Sequence, residues 1–263
     1  MIYCFSGTGN SLSVAHLLAN RLDEQIVQLP TPPAKAVSIS QERRIILVFP
    51  TYAWGVPKVV KDFIHSLPRI EKKPPTFAIF TCGDDIGMAD KVLEHQLDER
   101  GWELDDAFSV TMRETYICLP GFDIDTPTIE KQKFQQAEQR TNAIADFIQT
   151  FHTDSLSYRE QESKAFLGKK LTRGSFAWFK SYVIRPLFNR FLMSDKHFHT
   201  TSACIHCGKC VKTCPLHNIS MKDNHPQWNR QCTHCLRCYH ACPTHAIEYG
   251  FFTKGKGQVK INF

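Results

Sequence analysis

The sequence predicts an α/β protein, a parallel sheet wound by helices into a three-layer sandwich, followed by a small cysteine-rich unit. Three observations carry this. Over residues 1–152, short apolar stretches alternate with stretches of helical period, the pattern of repeated βα units. The apolar stretches are continuous, as strands buried on both faces must be. Eight of the eleven cysteines crowd between Cys204 and Cys242. A length of 263 residues suits one medium domain plus one small one.

The elements follow in order. Residues 2–5 form a short strand, and residues 11–22 a helix with Leu12, Ala15, Leu18, Ala19 and Leu22 on one face. Residues 26–29 give a second strand. "RIILVF" at 44–49 reads as a buried third strand, and 56–67 as a helix with Pro57 in its first turn. "TFAIFT" at 76–81 is a fourth strand, 88–100 a helix, 108–112 a fifth strand and 128–151 a long helix. Right-handed crossovers would place helices on both faces of the sheet.

Residues 153–199 change character. They are rich in Lys, Arg and aromatic side chains, and two or three short amphipathic helices are expected, with a break at Arg185-Pro186 because the residue before proline avoids the α region. The segment is expected to pack the small unit onto the first domain with its cations solvated. Peripheral contact with a membrane surface is the less favoured alternative.

Residues 200–263 hold a repeat: "CIHCGKCVKTCP" from Cys204 returns as "CTHCLRCYHACP" from Cys232, and each copy has an isoleucine (Ile219, Ile247) after its proline. The spacing C-x2-C-x2-C-x3-C-P is that of bacterial ferredoxins, in which three thiolates wrap one iron–sulfur cubane and the fourth Cys ligates the other cluster. This assigns Cys204, Cys207, Cys210 and Cys242 to one [4Fe–4S] cluster and Cys232, Cys235, Cys238 and Cys214 to a second. Zinc sites use longer spacers between paired cysteines, and four ligands in all. Eight of the twelve histidines also lie after residue 196; with the thiolate set complete, they are expected to be exposed loop residues.

The glycine-rich stretch at residues 6–11 follows the first strand. It lacks the Lys of a P-loop, and Leu12 stands where a dinucleotide fingerprint has its third Gly. What remains is a short hydroxyl-rich loop at a helix N-terminus, suited to a single phosphomonoester such as that of FMN. After the third strand comes "FPTYAWGVP" and after the fourth "TCGDDIG", loops on the same sheet edge, where doubly wound folds bind ligands.

With these three loops, residues 1–152 resemble a flavodoxin-like domain. The resemblance implies that Ser6, Gly7, Thr8, Gly9, Asn10 and Ser11 hold the FMN phosphate, and that Thr51, Tyr52, Ala53, Trp54 and Gly55, with Thr81, Cys82, Gly83 and Asp84, hold the flavin ring. Which of Tyr52 and Trp54 stacks is left open. Cys82, Cys4 and Cys118 read as packing residues. The whole chain is similar to fused flavodoxin–ferredoxin proteins of anaerobic microbes, through "MRETYI" after the fifth strand and "TKGKG" near the C-terminus. In that family residues 112–116 lie near the flavin rim or the domain contact; here Arg113 and Thr115 replace the expected Pro and Asn.

The implied organisation is an FMN-binding domain (1–152), a connector (153–199) and a dicluster ferredoxin domain (200–263). The bare chain carries a formal charge of +6, but two oxidised clusters and a flavin phosphate bring roughly −4 and −2, so no nucleic-acid partner is implied. No charged start precedes an apolar run and no apolar run is long enough to span a membrane, so a cytoplasmic location is expected. The expected function is electron transfer between the clusters and FMN, with a ferredoxin-like protein or a reductase as donor or acceptor. The competing reading is a flavin-dependent reductase acting on a quinone, a nitro compound, a haem or corrin metal, or a disulfide. Oligomeric state is not legible.

Overall fold

The computed structural model describes residues 1–30, 39, 42–71, 73–151 and 170–261. Five strands, β1 (Ile2–Cys4), β2 (Ile26–Gln28), β3 (Ile45–Pro50), β4 (Thr76–Cys82) and β5 (Asp106–Thr111), form one all-parallel sheet in the order β2-β1-β3-β4-β5. This is the doubly wound order of flavodoxin-like sheets, with its switch point between β1 and β3. Side chains alternate between two cores. Tyr3, Phe5, Leu47, Phe49 and Phe80 meet α2 (Lys58–Ser66) and α3 (Ala89–Asp98). Ile2, Cys4, Val48, Ile79 and Val110 meet α1 (Asn10–Leu22) and α4 (Pro127–Thr150). Each buried Phe, Leu or Ile contributes about 1.5–3 kcal/mol, which is why these strands read as unbroken apolar runs. Thr126 caps α4 through Ile129 N–H.

The connector departs from expectation. Its first part, to residue 169, lies outside the described residues. Beyond that, α5 (Ala177–Phe179) runs through a π-turn (Lys180–Ile184) directly into α6 (Arg185–Phe191), so Arg185-Pro186 does not break the helix. Arg185 N–H reaches back five residues to Lys180 O, a widened turn that relieves the clash between a proline ring and the carbonyl four residues earlier. The polarity is also inverted. Lys180 pairs with Asp85 at 2.8 Å, Arg173 with Asp90 at 2.5 Å, and Arg185 donates to Val56 O at 3.1 Å. Three of the cations thus grip the first domain, while Phe176, Trp178, Phe179, Tyr182, Leu187 and Phe191 are exposed.

The small unit pairs β6 (Phe198–Thr200) antiparallel with β9 (Ile247–Tyr249), and β7 (Ile219–Lys222) with β8 (His225–Trp228). Two single-turn helices, α7 (Lys209–Thr213) and α8 (Arg237–Ala241), carry the third cysteine of each copy, Cys210 and Cys238. Ile219 and Ile247 are both buried, the repeated isoleucine closing each copy's core. No described helix is long and apolar enough to cross a membrane.

Candidate functional site

The first three loops converge beyond the C-terminal ends of β1, β3 and β4. Gly9 takes a φ of 101° as the N-cap of α1, and its N–H donates to Ser6 Oγ at 3.1 Å. Ser11 Oγ meets Thr81 Oγ1 at 2.7 Å, tying the first loop to the third. Asn10 Nδ2 donates to Arg113 O at 3.0 Å, tying it to the loop after β5. These side chains brace the cradle rather than point at a ligand. Two main-chain donors of this loop stay unpaired among the described residues. Ser6 O and Gly7 O accept from Arg237 at 2.6 and 2.5 Å, so the planar trans peptides turn the N–H groups of Gly7 and Thr8 the opposite way. Those two amides have no acceptor among the described residues and sit at the start of α1, where an anion is favoured.

In the second loop, Tyr52 and Gly55 exchange main-chain hydrogen bonds at 3.1 Å around Ala53 and Trp54, whose φ values are 46° and 54°. Two non-glycine residues in the left-handed region cost about 1–2 kcal/mol each. That strain is held by the turn that presents Tyr52 and Trp54 to the cavity. In the third loop, a side chain at Gly83 would collide with the Glu114 carboxylate. Glu114 in turn accepts from Thr115 and Tyr116 N–H at 2.8 and 2.7 Å.

One cavity joins these loops. All of the residues expected at the flavin line it except Gly9 and Gly55. Gly55 instead lies against the Arg185 guanidinium. The cavity has a further wall, of which sequence reasoning signalled only Tyr116: Tyr116 and Phe122, Phe188 and Met193 of the connector, and His234, Cys235 and Leu236 of the second cysteine copy. Only "MRETYI" signalled any of this: residues 113–116 line the cavity, and Thr115 O bonds His240 Nε2 at 2.9 Å across the domain contact.

Four buried polar atoms around the cavity have no hydrogen-bond partner among the described residues: Thr51 Oγ1, Tyr116 OH and both ring nitrogens of His234. Buried polar groups are rarely left unpaired. Together with the free loop amides and the flanking aromatics, they suit a flat group with a polar rim and a phosphate. Burial, then the neighbouring Cys235, pushes the Tyr52 hydroxyl well up. Burial pushes the Cys82 thiol up to about 12, with Asp85 adding to it, and the Cys4 and Cys118 thiols likewise to about 12. These three stay protonated packing residues.

The cysteines separate into two cradles. Cys204, Cys207, Cys210 and Cys242 line one depression, and Cys207 and Cys242 both act electrostatically on Cys210. Cys214 acts on Cys232, Cys235 and Cys238. The fourth cysteine of each run therefore lies with the other copy's three. Main-chain N–H groups point at sulfur, Asn218 to Cys214 at 3.3 Å, His234 to Cys232 at 3.2 Å and Ala246 to Cys242 at 3.2 Å, donors that favour thiolates. Trp228, whose indole N–H is buried, lies against Cys238. Both donor sets fit four-thiolate clusters.

The histidines are not uniformly exposed loops. His206 and His217 are, and His225 is exposed at the start of β8, but His234 and His240 are buried, and burial holds both rings neutral by lowering their pKa to about 4. His234 is ringed by Tyr116, Phe198 and Tyr249.

The second cradle abuts the first loop. A Cβ on Gly7 would stand 2.5 Å from Tyr52 OH and 2.8 Å from Cys235 Cβ, so glycine is what admits Cys235 there. Arg237 seals the junction through Ser6 O, Gly7 O and, at 3.3 Å, Thr213 O.

Residues 192–247 match the 4Fe-4S dicluster domain family. Comparison with curated proteins finds no match. Among solved structures the chain is similar to the Trp repressor binding protein from Bacillus subtilis, at 17% identity over 54% of this chain and 96% of that one, with a TM-score of 0.40. It is similar also to an FMN-dependent NADH-azoreductase from Bacillus anthracis in complex with FMN, at 11% identity over 57% and 99%, TM-score 0.40. A third is a flavodoxin of Streptococcus pneumonia TIGR4, at 17% identity over 55% and 96%, TM-score 0.37. The fold assignment rests on strand order and register in the sheet itself. The chain joins a flavodoxin-like parallel sheet to a 4Fe-4S dicluster domain.

Proposed function

We propose that the cavity holds FMN, that the two cysteine sets hold [4Fe–4S] clusters, and that the protein carries electrons between the clusters and the flavin. The observation that carries this is the contact of Cys235 with the Gly7 loop, which makes the second cradle part of the cavity wall. Bound FMN would supply redox chemistry in one- or two-electron units, and clusters one-electron chemistry.

The chain's residues do the rest. The Gly7 and Thr8 amides at the start of α1 take the phosphate. Tyr52, Trp54 and Tyr116 bracket the ring, and Thr51 Oγ1, Tyr116 OH and His234 meet its polar rim. Arg237 holds the two domains in register, so that transfer needs no encounter between separate molecules. Phe122, Phe188 and Met193 exclude water from the outer side. Residues 1–152, 153–199 and 200–263 then act as flavin domain, connector and dicluster domain in a cytoplasmic protein.

Anaerobic preparation should yield about eight irons and one FMN per chain, with cluster EPR signals on reduction and flavin bleaching that follows them. Zinc in place of iron, or a chain that takes up no FMN, would overturn the reading.

A further inference from the structure

The repeat sets equivalent residues, twenty-eight positions apart, in opposite surroundings. In the second copy one face is docked: Cys235 meets Gly7, Arg237 clamps Ser6 O and Gly7 O, and His240 bonds Thr115 O. Thr233 and Tyr249 on that copy are 7% and 1% exposed. The matching residues of the first copy face solvent. Ile205 and Met221 are 60% and 39% exposed, and Cys207, Lys209 and Lys212 are exposed. No described residue of the flavodoxin-like domain lines the first cradle's depression.

We propose that this free face is the port at which an acidic, one-electron redox protein docks. The inference rests on the cluster assignment above. Cys207 brings its cradle to the surface while Cys235 turns inward to the cavity, so outside electrons reach the solvent-side cluster first. The face has an apolar centre, Ile205 and Met221 around Cys207, with Lys209 beside them, Lys212 one turn on along α7 and Lys222 next to Met221 at the end of β7, an apolar centre with charged neighbours as in a protein docking patch. Residues 201–230 hold four cations, Lys209, Lys212, Lys222 and Arg230, against one carboxylate, Asp223. None of the four cations meets a carboxylate among the described residues. In the second copy the equivalents of Lys209 and Lys212, Arg237 and His240, are spent on the chain's own carbonyls; in the first they remain for a partner. Like charge opposes a second copy of this face. The transfer moves one electron and no proton: the partner's centre is oxidised by one electron and the cluster of Cys204, Cys207, Cys210 and Cys242 is reduced by one.

The test uses the full chain loaded with iron and FMN, and an acidic plant-type [2Fe–2S] ferredoxin, photoreduced, as donor. Reduction should be fast at low salt and slow as salt screens the lysines. The triple variant Lys209→Glu/Lys212→Glu/Lys222→Glu should slow it by about tenfold or more at low salt. Reduction by a photoreduced neutral deazaflavin, iron content and flavin content should not change, and Lys131→Glu on α4 should behave as the unaltered chain. Carbodiimide cross-linking with mass spectrometry should join donor carboxylates to Lys209, Lys212 or Lys222, a readout that needs no turnover. A cluster-loaded chain whose rate ignores the triple reversal, or whose cross-links fall on residues 173–191 instead, overturns the port and leaves the cluster assignment standing. A chain without iron centres overturns both.

Discussion

The segments that begin at Cys204 and Cys232 repeat one cysteine spacing, yet one cradle opens to solvent and the other forms a wall of the cavity beside the first loops. The backbone keeps the symmetry. His206 and His234, His217 and His245, and Gly208 and Leu236 all take positive φ in register. The side chains break it, with Val211 answered by the buried Tyr239, and Lys212 by the buried His240. A motif that sets metal geometry is therefore independent of what sets access to the metal. The first is local spacing; the second is the shape and polarity of the residues between the ligands.

The most severe way to break the comparison is to remove the crossing cysteines. Cys242→Ala should abolish the solvent-side cluster and Cys214→Ala the cavity-side one, each leaving about half of the iron. Cys214→Ala should cut the flavin off from electrons supplied at the other cradle. Iron analysis with EPR of the remaining cluster decides it. If Cys242→Ala instead disturbs the cluster of its own run, the crossed assignment fails.

Next in size is the junction itself. Gly7→Val would drive a side chain into Tyr52 OH and Cys235 Cβ, and overpacking of that kind costs about 1–3 kcal/mol. Arg237→Ala strands the Ser6 and Gly7 carbonyls, for about 1–3 kcal/mol, whereas its counterpart Lys209→Ala should stay within about 0.5 kcal/mol. Denaturant unfolding of the loaded protein measures all three. An equal cost at Arg237 and Lys209 would mean that the two copies are docked alike. Both junction variants should also slow flavin reduction from the clusters while leaving iron content intact.

The sheet was legible because buried parallel strands must be apolar throughout, and the cysteine groupings were legible because the repeated spacing brings each run's fourth cysteine to the other copy's three. Thirteen of the fifteen residues expected at the flavin line the cavity, since loops at one sheet edge have to converge there. The opposing wall was not legible. His234, Cys235 and Leu236 reach the Gly7 loop only through tertiary docking, across more than two hundred positions of chain. The connector misled for a similar reason. Lys180, Arg173 and Arg185 find acceptors more than eighty residues earlier, on Asp85, Asp90 and Val56, so a run that reads as a solvated basic face turns three of its cations inward. The rule for the residue before proline was overridden because a π-turn supplied the room the ring needs.

The last break concerns the backbone site at which the copies are most alike. Gly208 has a φ of 67° with open space where a Cβ would go, and Leu236, its counterpart, has a φ of 59°. Gly208→Ala should therefore cost only the left-handed conformation, about 1 kcal/mol, with no change at the cluster. Leu236→Gly relieves a strain of the same size but removes a buried side chain from the cavity wall, a loss of about 2–5 kcal/mol when a core Leu is truncated. The net should be destabilising, and flavin should bind more weakly. Thermal unfolding and FMN titration of the two variants separate the terms. If Leu236→Gly is neutral or stabilising, the leucine contributes nothing to the wall and its positive φ is the larger effect.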